Sequence, residues 1–131
     1  MFSAWDTINS NRRLNPRHKA RIRAGVSLFF AEIEDRDRTS VLAYTRDLSR
    51  DGMALVLPSA RMGSHDLCEG DHVLEIVLAI SNGANVRLTA RLVHCGLYED
   101  ESGASYLVGV RIETMSAEDR TLYDQFIEGL Q

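Results

Sequence analysis

Two short runs in this chain hold residues suited to chemistry beyond packing. The first is Arg12-Arg13-Leu14-Asn15-Pro16-Arg17, an Arg-Arg-x-x-x-Arg. The second is Asp47-Leu48-Ser49-Arg50-Asp51-Gly52, an Asp-x-Ser-x-x-Gly. A guanidinium is a planar fork of donors. It makes bidentate, charge-assisted bonds to phosphate or to a purine edge, and its flat face stacks on a base. In an extended segment Asp47 and Ser49, two residues apart, share a face. There the carboxylate accepts from N–H groups, and the hydroxyl beside it donates or accepts. Leu48 then points into a core, and Gly52 lets the backbone turn and keeps the site open.

Chance sets the weight of each run. A chain this rich in arginine yields about 1.5 Arg-x-x-x-Arg pairs at random, but only about 0.16 of the doubled form and about 0.06 of Asp-x-Ser-x-x-Gly. The second run is the sharper signal. The first has an overlapping register, since Arg17-His18-Lys19-Ala20-Arg21 is another Arg-x-x-x-Arg. The doubled arginine favours Arg13 with Arg17. Arg17 belongs to both registers, and Arg21 directly precedes a strand-like segment that it can simply start. Each run also has a plainer reading. The arginines can be a solvated arm, and Asp and Ser readily bond to nearby backbone in a turn. The two roles of the second run are compatible.

The elements that must position these residues follow from periodicity. Residues 1 to 16 lack it and contain Asn9, Ser10, Asn11, Asn15 and Pro16, so they read as a flexible basic arm, with a short helix near Trp5. From Ile22 the pattern alternates as a strand through Val26, Leu28 and Phe30. Glu34 to Thr39 reads as a charged turn and Val41 to Tyr44 as the start of a second strand. Asp51-Gly52 is a hairpin signal before a third strand, Met53 to Leu57. Pro58 to Gly70 reads as a loop. Val73 to Ile80 is a heavily buried strand, Asn82-Gly83 a turn, and Val86 to Leu92 a half-buried strand with Arg87, Thr89 and Arg91 outward. An acidic loop is expected at Glu99 to Gly103, then a last strand at Tyr106 to Ile112. Ser116 is a good N-cap with Asp119 three residues on, and Leu122, Tyr123, Phe126, Ile127 and Leu130 fall on one helical face that Gly129 helps to end. The expected fold is all-β. About six short antiparallel strands close into a barrel, because closure removes exposed edges, and a C-terminal helix covers one end.

Composition bounds the function class. The 131 residues suit one domain, and 44% hydrophobic with 26% charged residues allow a packed core. No stretch is long enough to span a bilayer, because the most apolar one, Val73 to Ile80, is short and interrupted by Glu75. No basic-then-apolar pattern opens the chain, and two cysteines are too few for a disulfide framework, so the expected location is cytoplasmic. The net charge of −4 is uneven. Residues 1 to 23 hold Arg12, Arg13, Arg17, Lys19, Arg21 and Arg23 against Asp6, a local +5, which leaves −9 on the remainder. A basic arm on an acidic body draws small anions while the body repels long nucleic acid.

Together the two runs resemble the PilZ domain, a bacterial receptor family for cyclic di-GMP. That family carries Arg-x-x-x-Arg on an N-terminal arm, often with the first arginine doubled, and Asp/Asn-x-Ser-x-x-Gly some twenty to thirty residues later. The resemblance extends to Gly70-Asp71-His72-Val73-Leu74 before a middle strand, to Leu107-Val108-Gly109-Val110-Arg111-Ile112 as a last strand, and to Ser116 to Leu130 as a closing helix. It covers about residues 12 to 130, with residues 1 to 11 as a preceding arm. It implies a six-stranded barrel with a C-terminal helix, no cofactor, and cyclic di-GMP as ligand. The implied contacts are Arg13, Arg17, Asp47, Ser49 and Gly52, with Arg12 as the doubled arginine and Arg21 from the overlapping register. The expected mechanism is an arm, around Asn11 to Arg21, that is mobile without ligand and drawn across the barrel onto Asp47 and Ser49 with it. The new surface then signals to a protein partner.

Rival classes fare worse. Cys68 and Cys95 with His65, His72 and His94 do not reach zinc spacing, since His65-x-x-Cys68 lacks a matching half-site and the adjacent His94 and Cys95 face opposite sides of a strand. No Gly-x-Ser-x-Gly, P-loop or paired-His motif points to an enzyme. A barrel that binds RNA or single-stranded DNA would interleave exposed aromatics with basic residues, and these strands carry few aromatics. A protein-interaction adaptor that keeps the fold without binding nucleotide would not need both runs intact.

Overall fold

The computed structural model describes residues 16–29, 40–63, 65–81, 83–101 and 103–130. Arg12, Arg13, the segment near Trp5 and the charged turn at Glu34 to Thr39 lie outside the described residues.

Six strands make the barrel: β2 (Arg23–Leu28), β3 (Ser40–Ser49), β4 (Gly52–Leu57), β7 (Val73–Ser81), β8 (Ala84–Asp100) and β9 (Gly103–Met115). Their antiparallel order β3-β2-β7-β8-β9-β4 is closed by pairing of β3 with β4. Two-residue strands complete the set: β1 (His18–Lys19) pairs with the end of β3, and β5 (Arg61–Met62) pairs with β6 (His65–Asp66) within the expected loop. Burial alternates along β2, β7 and the start of β8 but runs unbroken through Gly52–Leu55 of β4 and Leu107–Val110 of β9. The interior holds Val26, Leu48, Leu55, Leu57, Leu74, Ile76, Leu78, Leu88 and Val110, all nearly inaccessible. Helix α1 (Ala117–Gly129) adds Tyr123 and Ile127 to this core. Ser116 caps it as expected, its hydroxyl accepting from the Asp119 N–H at 3.0 Å.

Three expectations shift. The hairpin turn between β3 and β4 is Arg50–Asp51, one residue before the Asp51-Gly52 reading, and Gly52 opens β4 opposite Ser49. The acidic segment at Glu99 is not a loop, because β8 and β9 stay paired out to Asp100 and Gly103, where φ is +121°. These strand tips extend past the core and so lack the alternation that marks a buried strand. Cys68 and Cys95, too few for a framework, are nonetheless joined as a disulfide with Cα atoms 5.0 Å apart. It ties the 58–72 excursion, whose Met62 and Leu67 sit in the core, to β8.

Candidate ligand-binding site

The site is built around an irregularity in β3. Tyr44 and Thr45 face Val56 and Leu55 of β4, but the next matched pair is Asp47 with Ala54. Arg46 is the extra residue of a β-bulge. Neighbours in a regular strand point to opposite faces; a bulge breaks that rule and re-aims side chains. Here it brings Arg46 and Asp47 together, and the Arg46 Nε donates to Asp47 Oδ2 at 2.9 Å. Leu48 is returned to the core, fully buried, as its place in the motif requires.

The root of the basic arm lies along this bulge. His18 and Lys19 pair with Leu48 and Asp47. The Ala20 N–H donates to the Arg46 carbonyl, and the Thr45 hydroxyl, itself buried, donates to the Ala20 carbonyl and accepts from the Ile22 N–H. Residues 18 to 22 are thus stitched to β3 at every turn of the backbone. That placement aims Arg17 at Asp47, thirty positions away in sequence. Arg17 Nε and Nη2 donate to Asp47 Oδ1 at 3.0 and 2.7 Å. The two ends of the two sequence runs therefore meet in a partly buried ion pair, with side-chain exposures of 14% and 9%. Arg17, Lys19, Arg46 and Asp47 line a depression of about 380 Å³. Its described lining holds three basic side chains and one carboxylate.

Lys19 and Arg46 also line a neighbouring groove of about 680 Å³, walled by Tyr44 and Leu42 of β3 and by Tyr98, Asp100 and Ser105 of the extended β8–β9 hairpin. Arg21 lies over the Tyr44 ring, with its guanidinium carbon 4.2 Å from the centroid. This is a cation–π stack of the kind that also accepts a base.

The remaining motif residues do structural work. Ser49 is 1% exposed, and its hydroxyl donates to Asp51 Oδ1 at 2.7 Å, with the Gly52 carbonyl at 3.4 Å. Gly52 is buried between Ser49 and Arg111 on the neighbouring strands. The structure thus brings Arg17 and Asp47 together, sets Arg21 in the adjoining groove, and turns Ser49 and Gly52 inward to shape the turn. Arg12 and Arg13 lie outside the described residues. Sequence reading missed Arg46, Lys19, Tyr44 and Tyr98. Arg46 lies just before the second motif and Lys19 at an unspecified position of the overlapping first one, and only knowledge of the bulge would have singled them out. Among the described residues no cluster of three or more His, Cys, Asp and Glu could hold a metal, and no helix is long and apolar enough to cross a membrane.

A closed antiparallel barrel of six strands with a C-terminal helix, and a basic depression beside the bulge of β3, defines a small β-barrel domain. The sequence model of the PilZ domain matches residues 11–129, and the chain belongs to that family. Solved structures agree on the fold. The PilZ domain of YcgR from Escherichia coli, solved with c-di-GMP, superposes with a TM-score of 0.64 at 16% identity, covering 91% of each chain. MrkH of K. pneumonia in complex with c-di-GMP gives 0.64 at 17% identity over 90% of this chain and 54% of its own. The Bacillus subtilis inhibitor of motility MotI/DgrA gives 0.59 at 14% identity over 91% and 49%. The chain therefore spans about half the length of the latter two proteins. The comparison with curated proteins returns no match.

Proposed function

We propose that the chain is a receptor for cyclic di-GMP that acts by binding rather than by catalysis. The observation that carries this is the meeting of Arg17 and Asp47, brought from two separate motifs to 2.7 Å, with Lys19 and Arg46 beside them. Cyclic di-GMP offers two phosphate charges and two guanines. The basic depression suits a phosphate, and the Arg21–Tyr44 stack in the adjoining groove suits a guanine face. Family membership and the two complexes with c-di-GMP support the same ligand.

The geometry refines each role. Asp47 already accepts three N–H donors, so of its roughly four acceptor positions about one is left for a guanine N–H. Its larger contribution is to hold Arg17 and Arg46 in place. Ser49 and Gly52 serve the ligand through the shape of the turn. Arg12 and Arg13 add charge from the arm. Residues 18 to 22 already pair with β3, so the ligand-driven rearrangement expected of Asn11 to Arg21 falls to the residues before them. Closure of the segment before Pro16 over the bound dinucleotide then presents a changed surface to a protein partner.

Amide shift mapping tests the placement. On adding cyclic di-GMP, the amides of Arg17 to Arg21 and of Tyr44 to Asp47 should move most. Largest shifts at Leu74 to Leu78 of β7, two strands from β3 around the barrel, would contradict it.

A further inference from the structure

The turn that ends the acidic motif is held from outside by the C-terminal helix. Three consecutive carbonyls, those of Ser49, Arg50 and Asp51, each accept a hydrogen bond from elsewhere in the molecule. The Tyr123 hydroxyl donates to the Ser49 carbonyl at 2.6 Å. Arg120 Nη1 donates to the Arg50 carbonyl at 2.7 Å. The Ile112 N–H of β9 donates to the Asp51 carbonyl at 2.9 Å. Two of the three donors belong to α1, three residues apart and so on one helical face. The Arg50 side chain returns to the same helix, its Nη2 lying 3.2 Å from Asp124 Oδ2, while Asp124 Oδ1 lies 3.2 Å from Arg120 Nη1. Arg50, Arg120 and Asp124 thus form a closed ring of contacts around the turn.

A tyrosine that only packs needs no hydroxyl. Tyr123 is fully buried, and its hydroxyl reaches a backbone carbonyl rather than solvent. Burial pushes its ionisation well above the ordinary tyrosine range, so the group stays a donor. Ser49 lies two residues from Asp47, on the stretch of β3 that receives the arm. Any shift of the Ser49 carbonyl moves the end of that stretch and the carboxylate that aims Arg17 and Arg46.

We propose that Tyr123 and Arg120 are positioning residues for the ligand site, so that the hydrogen bonds from α1 to the turn, rather than the helix's core packing, set dinucleotide affinity and are stiffened by the dinucleotide in return. This rests on the cyclic di-GMP reading. The two directions are one coupling, since a helix state that changes ligand affinity by some factor is itself shifted by the ligand by the same factor.

The test pairs calorimetric titration of cyclic di-GMP with hydrogen exchange across α1. Tyr123→Phe removes one oxygen and should weaken binding about five- to tenfold. Arg120→Ala should weaken it by a similar factor, with Arg120→Lys recovering part of the loss. Ile127→Val, a core change on the same helix at an apolar side chain that makes no hydrogen bond to the turn, should lower the melting temperature and leave affinity within twofold, which separates positioning from mere stability. In the wild type, ligand should slow exchange at residues 120 to 127. If Tyr123→Phe proves too unstable to titrate, the more exposed Arg120 variants decide. Wild-type affinity in Tyr123→Phe and Arg120→Ala, or helix exchange indifferent to bound ligand, overturns the proposal while the receptor reading stands. No binding by the wild type overturns both.

Discussion

Asp47 is asked to satisfy two arginines at once. Arg17 approaches one carboxylate oxygen and Arg46 the other. Removing the carboxylate takes away the acceptor that the two guanidiniums share beside Lys19. Asp47→Ala should therefore cost about 1–3 kcal/mol of stability, read by urea unfolding, and should weaken ligand binding more than tenfold although no phosphate contact is deleted. Binding that survives Asp47→Ala would show that the arginines aim themselves. Tyr123 makes a second residue-level statement. Its folded-state pKa is raised above the ordinary value of about 10 by burial, so it stabilises fully below that value and loses the contribution as pH rises beyond it. Unfolding free energy should fall on raising the pH above 10, and Tyr123→Phe should flatten that fall. An equally steep fall in the variant would assign the effect to other groups. Arg17 and Asp47 were legible as chemistry in the sequence because their motif positions are fixed. Arg46 was not, since nothing in a list of residues reports a bulge, and Tyr123 was counted only for its ring, although a buried tyrosine hydroxyl always asks for a partner.

At the scale of elements, β3 carries the site and its neighbours define its reach. The bulge puts Arg46 and Asp47 on one side, β1 brings the arm, and the long β8–β9 hairpin contributes Tyr98 and Asp100 as a wall of the groove. The core strands and the capped helix were legible because burial imposes a period of two or of 3.6 residues. The hairpin tip was not, because residues past the core, such as Glu99 and Asp100, alternate with nothing buried. The 58–72 excursion read as loop, and its short β5–β6 pairing carries too few residues to show a period. Its link to β8 through Cys68 and Cys95 closes 27 positions of chain. By loop-closure entropy that cross-link contributes about 3–4 kcal/mol. Reduction, or Cys68→Ser, should lower the urea midpoint accordingly. An unchanged midpoint under reductant would mean the two thiols are not bonded in solution.

At the scale of the whole molecule, charge and closure act together. Closure of the six described barrel strands leaves outward side chains, and the arm's root laid against β3, as binding surface. The sequence puts +5 in its first 23 residues and −9 in the rest. A compact dianion fits the basic arm and its depression, whereas a long polyanion must also lie on the acidic body. The most direct measurement is calorimetric titration of the protein with cyclic di-GMP at physiological salt, with cyclic di-AMP, GTP and single-stranded RNA as comparisons and Arg17→Ala as the site control. Saturable binding of cyclic di-GMP alone, lost in Arg17→Ala, is the predicted result. No binding by the wild type, equal binding of RNA, or full binding by Arg17→Ala would contradict the account.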